Sequence, residues 1–159
     1  MELREFSDGY GVLVAGWARD AHEVALLCGR VEYPFPEELT GSWRKVADDI
    51  RSYLLFDGDQ AVGYGEVWLD DEEDEAELAR IIVDPGVRGK GIGLELVRGL
   101  LGPALAAGYP EVFLRVRPEN AVAIRTYQRV GFVDVPQALM DEWNAAQPVA
   151  YRWMRFAGE

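Results

Sequence analysis

The most constraining feature of the chain is a glycine-rich turn that joins an apolar stretch to an amphipathic one. The segment reads Ala79-Arg-Ile-Ile-Val-Asp-Pro-Gly-Val-Arg-Gly-Lys-Gly-Ile-Gly-Leu-Glu-Leu-Val97. The glycines after Arg88 let the backbone curl with its N–H groups pointing inward, and the helix that follows adds the positive end of its dipole. Arg88 and Lys90 add fixed positive charge. The turn therefore predicts a site for an anion, most naturally a diphosphate.

The spacing of this turn excludes two common phosphate-binding loops. A P-loop needs Lys-Ser or Lys-Thr after its last glycine, but Lys90 is followed by Gly91. The dinucleotide fingerprint G-x-G-x-x-G also fails, because Leu94 and Leu96 stand where its third glycine would be. What remains is the pattern Arg88-x-x-Gly91-x-Gly93. An ordinary strand-to-helix turn, with glycine at positive φ, is the alternative for this segment.

A second segment places an amide and a phenol on one helix face. After the apolar run Val112–Val116 the chain reads Pro118-Glu-Asn-Ala-Val-Ala-Ile-Arg-Thr-Tyr-Gln-Arg-Val-Gly-Phe132. On a helix, Asn120 and Tyr127 lie two turns apart and within about 20° of the same direction. Asn120 is a favoured N-cap residue, and Gly131 is a favoured helix terminator.

Together the two segments resemble the hallmarks of the GNAT N-acetyltransferase superfamily. Arg88-x-x-Gly91-x-Gly93 is similar to its coenzyme A pyrophosphate loop. The second segment resembles its motif Asn-x-x-Ala-x-x-x-Tyr-x-x-x-Gly-Phe, and both occur in the family's order. The resemblance covers most of 3–156 and implies acetyl transfer from acetyl-CoA to an amine by direct attack within a ternary complex. The second motif is matched at Asn120, Ala123, Tyr127, Gly131 and Phe132.

The resemblance assigns the acetyl-CoA site to three places. The backbone of the turn, with the side chains of Arg88 and Lys90, holds the diphosphate; a solvent-facing Lys90 is the alternative. The strand before the turn pairs its backbone with pantetheine and polarises the thioester carbonyl, while its side chains fit the core. Asn120 anchors the cofactor or only caps its helix. The assigned residues are Ile81, Ile82, Val83, Arg88, Gly89, Lys90, Gly91, Ile92, Gly93, Leu94, Asn120 and Tyr127.

Three residues are assigned to proton transfer. A thiolate with a pKa near ~8.5 can take a proton from a phenol with a pKa near ~10 when the two are held together, and Tyr127 is the matching tyrosine. A core tyrosine is the alternative for this position. Glu77 is the expected base, acting through water on the substrate ammonium, unless it is one more acid after the run 70–75. Glu66 is the reserve base.

The acceptor pocket is expected to come from the first two helices, an aromatic loop and a nearby strand. A small-molecule amine with an apolar or aromatic body suits such walls, with Glu32 or Glu37 meeting its charge. The alternative is that the aromatic residues pack the helices onto the sheet. The expected wall residues are Trp17, Tyr33, Phe35, Trp43 and Trp68.

Two other functions stay open. A protein N-terminus or lysine could be the acceptor, but N-terminal acetyltransferases of the ribosomal-protein type carry Leu-Glu-Val where this chain has Leu114-Arg115-Val116. A non-catalytic sensor of coenzyme A is the other alternative. The presence of both Asn120 and Tyr127 disfavours it, since a binder has no need of the acid.

The composition limits the classes of partner and the kinds of site that the chain is expected to have. The net charge of −12 argues against nucleic acid and suits a cationic substrate, although acidity also maintains solubility. One cysteine and one histidine give no expectation of a metal site or a disulfide. No apolar run approaches the roughly 18 residues of a membrane span, and Met1–Phe6 has no signal-peptide core, so we expect a cytoplasmic protein. A homodimer, with Val149–Phe156 or the aromatic helices in contact, stays open.

The periodicity predicts one domain, 1–159, of the α/β class. We expect the GNAT fold: a mixed, mostly antiparallel sheet of six to seven strands with helices on both faces. An apolar stripe of Leu94, Val97, Leu101 and Leu105 marks the helix from Gly91 to about Gly108, with a kink or early end at Pro103. Strands are predicted at 3–6, 52–56, 61–69, 77–83, 112–116, 132–135 and 149–156, helices at 16–29, 37–49 and 120–130, and a loop or short helix at 138–146.

Overall fold

The computed structural model of the chain describes residues 1–28 and 49–158. Most strands of the sheet carry apolar residues at alternate positions, which bury one face, or in continuous runs, which bury both faces. Within these ranges lie seven strands: β1 (Glu2–Glu5), β2 (Ile50–Asp57), β3 (Gln60–Asp70), β4 (Glu75–Val83), β5 (Glu111–Val116), β6 (Phe132–Asp134) and β7 (Arg152–Phe156).

Two of the helices in the described ranges begin at a short polar residue that accepts from a free backbone N–H group. Asp20 accepts from the N–H of Glu23 (2.8 Å), and Asn120 accepts from the N–H of Ala123 (3.4 Å). No helix among the described residues is both long and apolar enough to cross a bilayer. The helices are α1 (Gly11–Ala15), α2 (Ala21–Cys28), α3 (Ile92–Ala106), α4 (Ala121–Val130) and α5 (Gln137–Asn144).

The strands form one sheet in the order β1-β2-β3-β4-β5-β7-β6. Neighbouring strands are antiparallel except β4 and β5, which run parallel. A parallel pair needs a crossover connection, and α3 supplies it. The mixed, mostly antiparallel sheet predicted from the sequence is therefore confirmed.

The core is divided between the two faces of the sheet. On one face α3 and α4 cover a large cluster that includes Leu55, Leu78 and Leu114. On the other face α1 and α2 cover Leu54, Phe56 and Tyr64, while α5 covers a separate cluster around Phe113 and Trp153. Adjacent residues of β2 contribute to opposite clusters, as the alternation of a strand requires. Helices therefore lie on both faces.

The structure differs from two details predicted for the α3 helix. Of the kink or early end predicted at Pro103, the early end is wrong: the helix continues to Ala106, because the buried side chains of Leu100, Leu101 and Ala104 hold its last turns on the sheet. Leu105 is exposed rather than part of the buried stripe. Elsewhere, α2 begins at Ala21 rather than Gly16, and α5 (Gln137–Asn144) overlaps most of the predicted segment 138–146. The predicted helix 37–49 lies almost wholly outside the described residues.

Candidate active site

The turn between β4 and α3 has the backbone of an anion-binding loop. Gly89 and Gly91 both have φ of +80°, a left-handed conformation that costs other residues roughly 1–2 kcal/mol. No side chain caps α3, so its first N–H groups are open at the loop. A Cβ atom on either glycine would meet nothing within 4 Å. The space beside both residues is therefore open to a bound group.

The side chain of Arg88 ties this loop to the N-terminal helices. Its guanidinium donates to the carbonyl oxygens of Val83 (3.0 Å) and Trp17 (3.2 Å) and to the carboxylate of Glu23 (3.1 Å). All three nitrogens are thus engaged by protein, where the sequence predicted a ligand of the diphosphate. Lys90 is exposed and has no acidic partner in 1–28 or 49–158, so it remains the available cation of the loop.

Glu23 is the acidic partner of Arg88 in the contact between the loop and α2. Burial raises the pKa of its carboxyl, but hydrogen bonds from Arg19 and Arg88 outweigh burial and lower the pKa to about 2. The ordinary value is 4.5. Glu23 therefore stays ionised in the folded protein over the whole physiological range and holds α2 against the loop.

Glu23→Gln should lower the free energy of unfolding at pH 7 by about 1–2 kcal/mol, because the lowered pKa of Glu23 stabilises the fold. That stabilisation is present above pH 4.5 and is lost as pH falls toward about 2. The difference from the wild type should therefore shrink over that interval, as urea unfolding at several pH values would measure. Glu142→Gln, at an exposed position of α5, is the control. A difference that does not change with pH would mean lost packing rather than lost charge.

Strands β4 and β5 part beside the loop. Their parallel pairing runs from Glu75 opposite Glu111 to Leu78 opposite Leu114 and ends there. Beyond it, no strand of the described residues pairs with the β5 side of 79–83. The backbone of this segment, which includes Ile81, Ile82 and Val83, is thus an open edge that a strand-like ligand can join. The side chain of Ile82 is buried in the core, and the other two pack against it, as expected.

A β-bulge bends β4 at this opening. Tyr64 pairs with Ile82, whereas Glu66 pairs with Ala79, so β4 has one extra residue opposite Gly65. The bulge shifts the alternation of side chains: Leu78 belongs to the core cluster under α3, but Ile82 belongs to the cluster on the opposite face. Arg80 has φ of +50°, a left-handed conformation unusual for arginine.

Buried Glu66 holds the side chain of Arg80. Glu66 is 0% exposed and accepts hydrogen bonds from the Tyr64 hydroxyl (2.5 Å), the Trp68 indole (2.7 Å) and the Arg80 guanidinium (3.1 Å). Burial raises the pKa of Glu66, and the charge of Arg80 opposes that rise. Arg80 also lies over the Trp68 ring, 4.9 Å from its centroid. Since no oxygen of Glu66 reaches solvent, its predicted part as reserve base is not supported by this geometry.

Glu77 is the better placed of the two carboxylates for contact with a substrate. Its side chain is 20% exposed, and one oxygen accepts from Arg115 Nε at 2.9 Å. Burial raises the pKa of Glu77, and the positive charge of Arg115 opposes that rise. Arg115 is itself held by Gln147 (3.1 Å) and by the Trp153 ring, whose centroid is 5.1 Å away.

Asn120 and Tyr127 lie on α4 as the sequence predicts. The side-chain oxygen of Asn120 caps the helix, which leaves its amide N–H groups for a ligand. Tyr127 is 8% exposed and packs against Phe132. Burial raises the pKa of the Tyr127 hydroxyl, so it stays protonated at neutral pH. Within the described ranges no group hydrogen-bonds that hydroxyl.

Two clefts meet at Glu75 and Glu77. One, of about 510 Å³, is lined by six carboxylates together with Trp68 and Arg80. The other, of about 380 Å³, lies under α5 and includes Phe113 and Trp153. Among the described residues, no group of three or more His, Cys, Asp or Glu side chains has the arrangement of a metal site. The carboxylates of the first cleft are Asp49, Asp70, Asp71, Glu72, Glu75 and Glu77.

The predicted acceptor pocket is only partly placed by the structure. Trp68 lines the first cleft, and its part in an acceptor pocket stays a prediction. Trp17 is not a pocket wall: it is buried in the core cluster under α1 and α2, because the chain breaks the predicted helix there and turns its ring inward. Tyr33, Phe35 and Trp43, and also Glu32 and Glu37, lie outside the described residues.

Sequence reasoning missed two arginines of the site. Arg80 falls within a predicted strand, where nothing local predicts a left-handed residue. The signal that was present is the break in alternation, since Ile81 and Ile82 are adjacent apolar residues in a strand whose earlier residues alternate. Arg115 drew attention only as a departure from Leu-Glu-Val, and its pairing with Glu77 depends on two strands that are distant in sequence.

Comparison with known proteins finds one matching family. A model of the family described as acetyltransferase (GNAT) family matches residues 16–132. A mycothiol acetyltransferase of Streptomyces scabiei is 33% identical over 88 residues. That match covers 55% of this chain and 29% of the relative, so the chain spans less than a third of that protein's length.

Two solved structures are similar over nearly the whole chain. A ribosomal-protein-alanine N-acetyltransferase from Brucella melitensis has a TM-score of 0.73 at 18% identity, covering 98% of both chains. The PaiA N-acetyltransferase from Thermoplasma acidophilum, solved with coenzyme A, has a TM-score of 0.68 at 19% identity, covering 98% of this chain and 97% of that one. At these identities the likeness concerns the fold.

Proposed function

The chain belongs to the acetyltransferase (GNAT) family, and on that premise we propose that it transfers the acetyl group of acetyl-CoA to a primary amine. The observation that carries this proposal is the open edge of β4, which leads into a turn with two left-handed glycines. A long ligand with an extended arm and a diphosphate would use both features, the arm along the strand and the phosphates at the N-terminus of α3.

The residues present fit such a ligand. The turn offers unpaired N–H groups, open space beside Gly89 and Gly91, and the exposed cation of Lys90. Asn120 keeps its amide N–H groups available on α4. We assign the diphosphate to the backbone of 88–94 and to Lys90, and we assign Arg88 to shaping the loop from behind.

Acetyl-CoA would supply an activated acetyl group, whose C–S bond breaks as the amine nitrogen forms the new C–N bond. In our proposal the backbone N–H groups of the β4 edge bind the thioester oxygen. Tyr127 donates its proton to the departing sulfur, and the buried environment keeps that proton in place until it is needed. Glu77 receives, through water, the proton that the substrate ammonium loses before attack. The second proton, which the nitrogen loses as the amide forms, passes through solvent to the Tyr127 phenolate and restores the phenol.

The charges around the first cleft favour a cationic acceptor. Six carboxylates face one arginine among the residues that line it, so the cleft attracts a protonated amine and disfavours an acid. The ring of Trp68 adds an aromatic wall. We propose a small-molecule amine. A protein N-terminus or lysine is the second candidate, with the name of the Brucella melitensis structure in its favour.

Glu77→Gln should lower kcat/KM about 5-fold at pH 7 and have little effect near pH 9.5, where more of the amine is already neutral. The pH profile of thiol release would measure this. The pKa of Glu77 is raised. As pH falls, the wild type should therefore lose activity at a higher pH than it would with an ordinary glutamate as the base. Glu75→Gln removes a carboxylate from the same two clefts and is the matched control. Equal pH profiles for the two variants would mean that Glu77 acts only through its negative charge and not as a base.

The experiment that tests the function is an acceptor panel. The protein is incubated with acetyl-CoA and with mono-, di- and polyamines, amino sugars, and peptides with a free N-terminus or lysine. Release of one thiol per acetylated amine, with small cations ahead of peptides, is the expected result. Faster turnover of peptides would favour the protein acceptor, and binding of acetyl-CoA with no turnover on any amine would favour a sensor.

A further inference from the structure

Arg80 combines two features that are costly unless something compensates them. Its backbone is left-handed at φ +50°, and its side chain, 20% exposed, is directed to a carboxylate that is fully buried. Glu66 is the one buried charged residue of the described core, and three donors converge on it. A buried ion pair is a weak source of stability, because apolar residues of the same volume often serve as well. Such a pair is better suited to fixing one conformation than to adding stability.

The conformation that this pair can fix is the β-bulge of β4, which lies next to the open edge of 79–83. The extra residue opposite Gly65 leaves a peptide of β4 without its usual partner on β3 and reverses the faces of the residues that follow. This happens one residue before Ile81, where the edge facing β5 is already unpaired. A Cβ atom on Gly65 would lie 2.5 Å from Cδ1 of the buried Leu100, so that side chain would have to move.

We infer that the Glu66–Arg80 pair is a positioning device, which locks the left-handed residue of the bulge and so aims the N–H groups of the β4 edge at the reacting carbonyl. The inference rests on the proposed function, because it assigns those N–H groups to the thioester. Glu66 acts through Arg80 and touches no substrate. Trp68 completes the device by stacking on the guanidinium and by donating to the same carboxylate.

A pair of substitutions at Arg80 separates the backbone from the side chain. Arg80→Ala and Arg80→Gly both remove the guanidinium from the cleft, but only glycine adopts φ +50° without strain. We expect kcat to fall about 10-fold in Arg80→Ala and to return to within about 3-fold of the wild type in Arg80→Gly. The KM for acetyl-CoA should change little in either variant. Equal kcat values for the two variants would overturn the inference.

Glu66→Gln tests the other half of the pair. The amide keeps the shape and an oxygen for Trp68 but loses the charge that holds Arg80. We expect kcat about 5-fold below the wild type, with thermal melting as a control for folding. Unchanged kcat in this variant and in Arg80→Ala would remove the device from the mechanism.

An infrared measurement keeps this inference distinct from the proposed function. With acetyl-CoA labelled by ¹³C at the carbonyl, the thioester band should move to lower frequency on binding to the wild type and to Arg80→Gly, and less in Arg80→Ala. The readout needs no turnover. If no amine is acetylated but the band behaves in this way, the function fails and the positioning inference stands. If turnover occurs and the band shift is the same in all three proteins, the inference fails alone.

Discussion

Tyr127→Phe should lower kcat about 100-fold while the Kd for acetyl-CoA stays within about 3-fold of the wild type. The substitution removes one hydroxyl from a side chain that is otherwise packed in the core under α3 and α4. No described residue hydrogen-bonds that hydroxyl, so its loss leaves no protein group unsatisfied. A fall in rate therefore reports a proton that the leaving sulfur no longer receives.

The raised pKa of Tyr127 is compatible with this role. Burial makes the phenol a weaker acid, but an apolar surrounding also raises the pKa of a thiol placed beside it. The two values therefore rise together, and the proton can still pass from oxygen to sulfur.

A second tyrosine provides the matched control for Tyr127. Tyr53 packs against the edge of the same core cluster, and burial raises the pKa of its hydroxyl too, but it lies on β2. Tyr53→Phe should leave kcat unchanged. Thiol release at saturating acetyl-CoA, with calorimetry for the Kd, measures both variants. Full activity in Tyr127→Phe would take this residue out of the mechanism.

Gly91→Asp should weaken acetyl-CoA binding about 100-fold. The carboxylate would lie at the N-terminus of α3, where we place the diphosphate, and two like charges about 4 Å apart near a protein surface repel by a few kcal/mol. The left-handed backbone costs aspartate roughly 1–2 kcal/mol of stability at most, and a control at a second left-handed glycine carries the same cost.

The other end of α3 supplies the control for this substitution. Gly108 has φ of +84° and open space beside it, which matches Gly91 in backbone conformation. It follows the last turn of the same helix, remote from the loop. Gly108→Asp should leave the Kd for acetyl-CoA unchanged. An equal loss of affinity in both variants would indicate a global effect and contradict the loop as the binding site.

Features that depend on local sequence were predicted well. The turn from Asp84 to Gly91 and the capped helix from Asn120 to Gly131 are encoded by glycine, proline and capping residues within a few positions of one another. The structure has both of them where the sequence places them. The mixed sheet follows from the same local patterns, joined by the rule that parallel strands need a crossover.

Features that depend on contacts between distant segments could not be predicted. Arg88 was predicted to face a ligand, but its position is set by Glu23, which lies 65 residues earlier in the chain. Trp17 was predicted to line a pocket, yet the way α1 and α2 pack on the sheet buries it. The break in alternation at Ile81 and Ile82 marks an irregularity in β4, but the left-handed conformation of Arg80 depends on Glu66 of the neighbouring strand.

Titration of the wild-type protein with acetyl-CoA in a calorimeter tests the central claim most directly. One acetyl-CoA should bind per chain, with an affinity that falls as salt is added, because backbone amides and Lys90 bind the diphosphate. Absence of heat at millimolar acetyl-CoA, or equal affinity for pantetheine lacking the diphosphate, would contradict it.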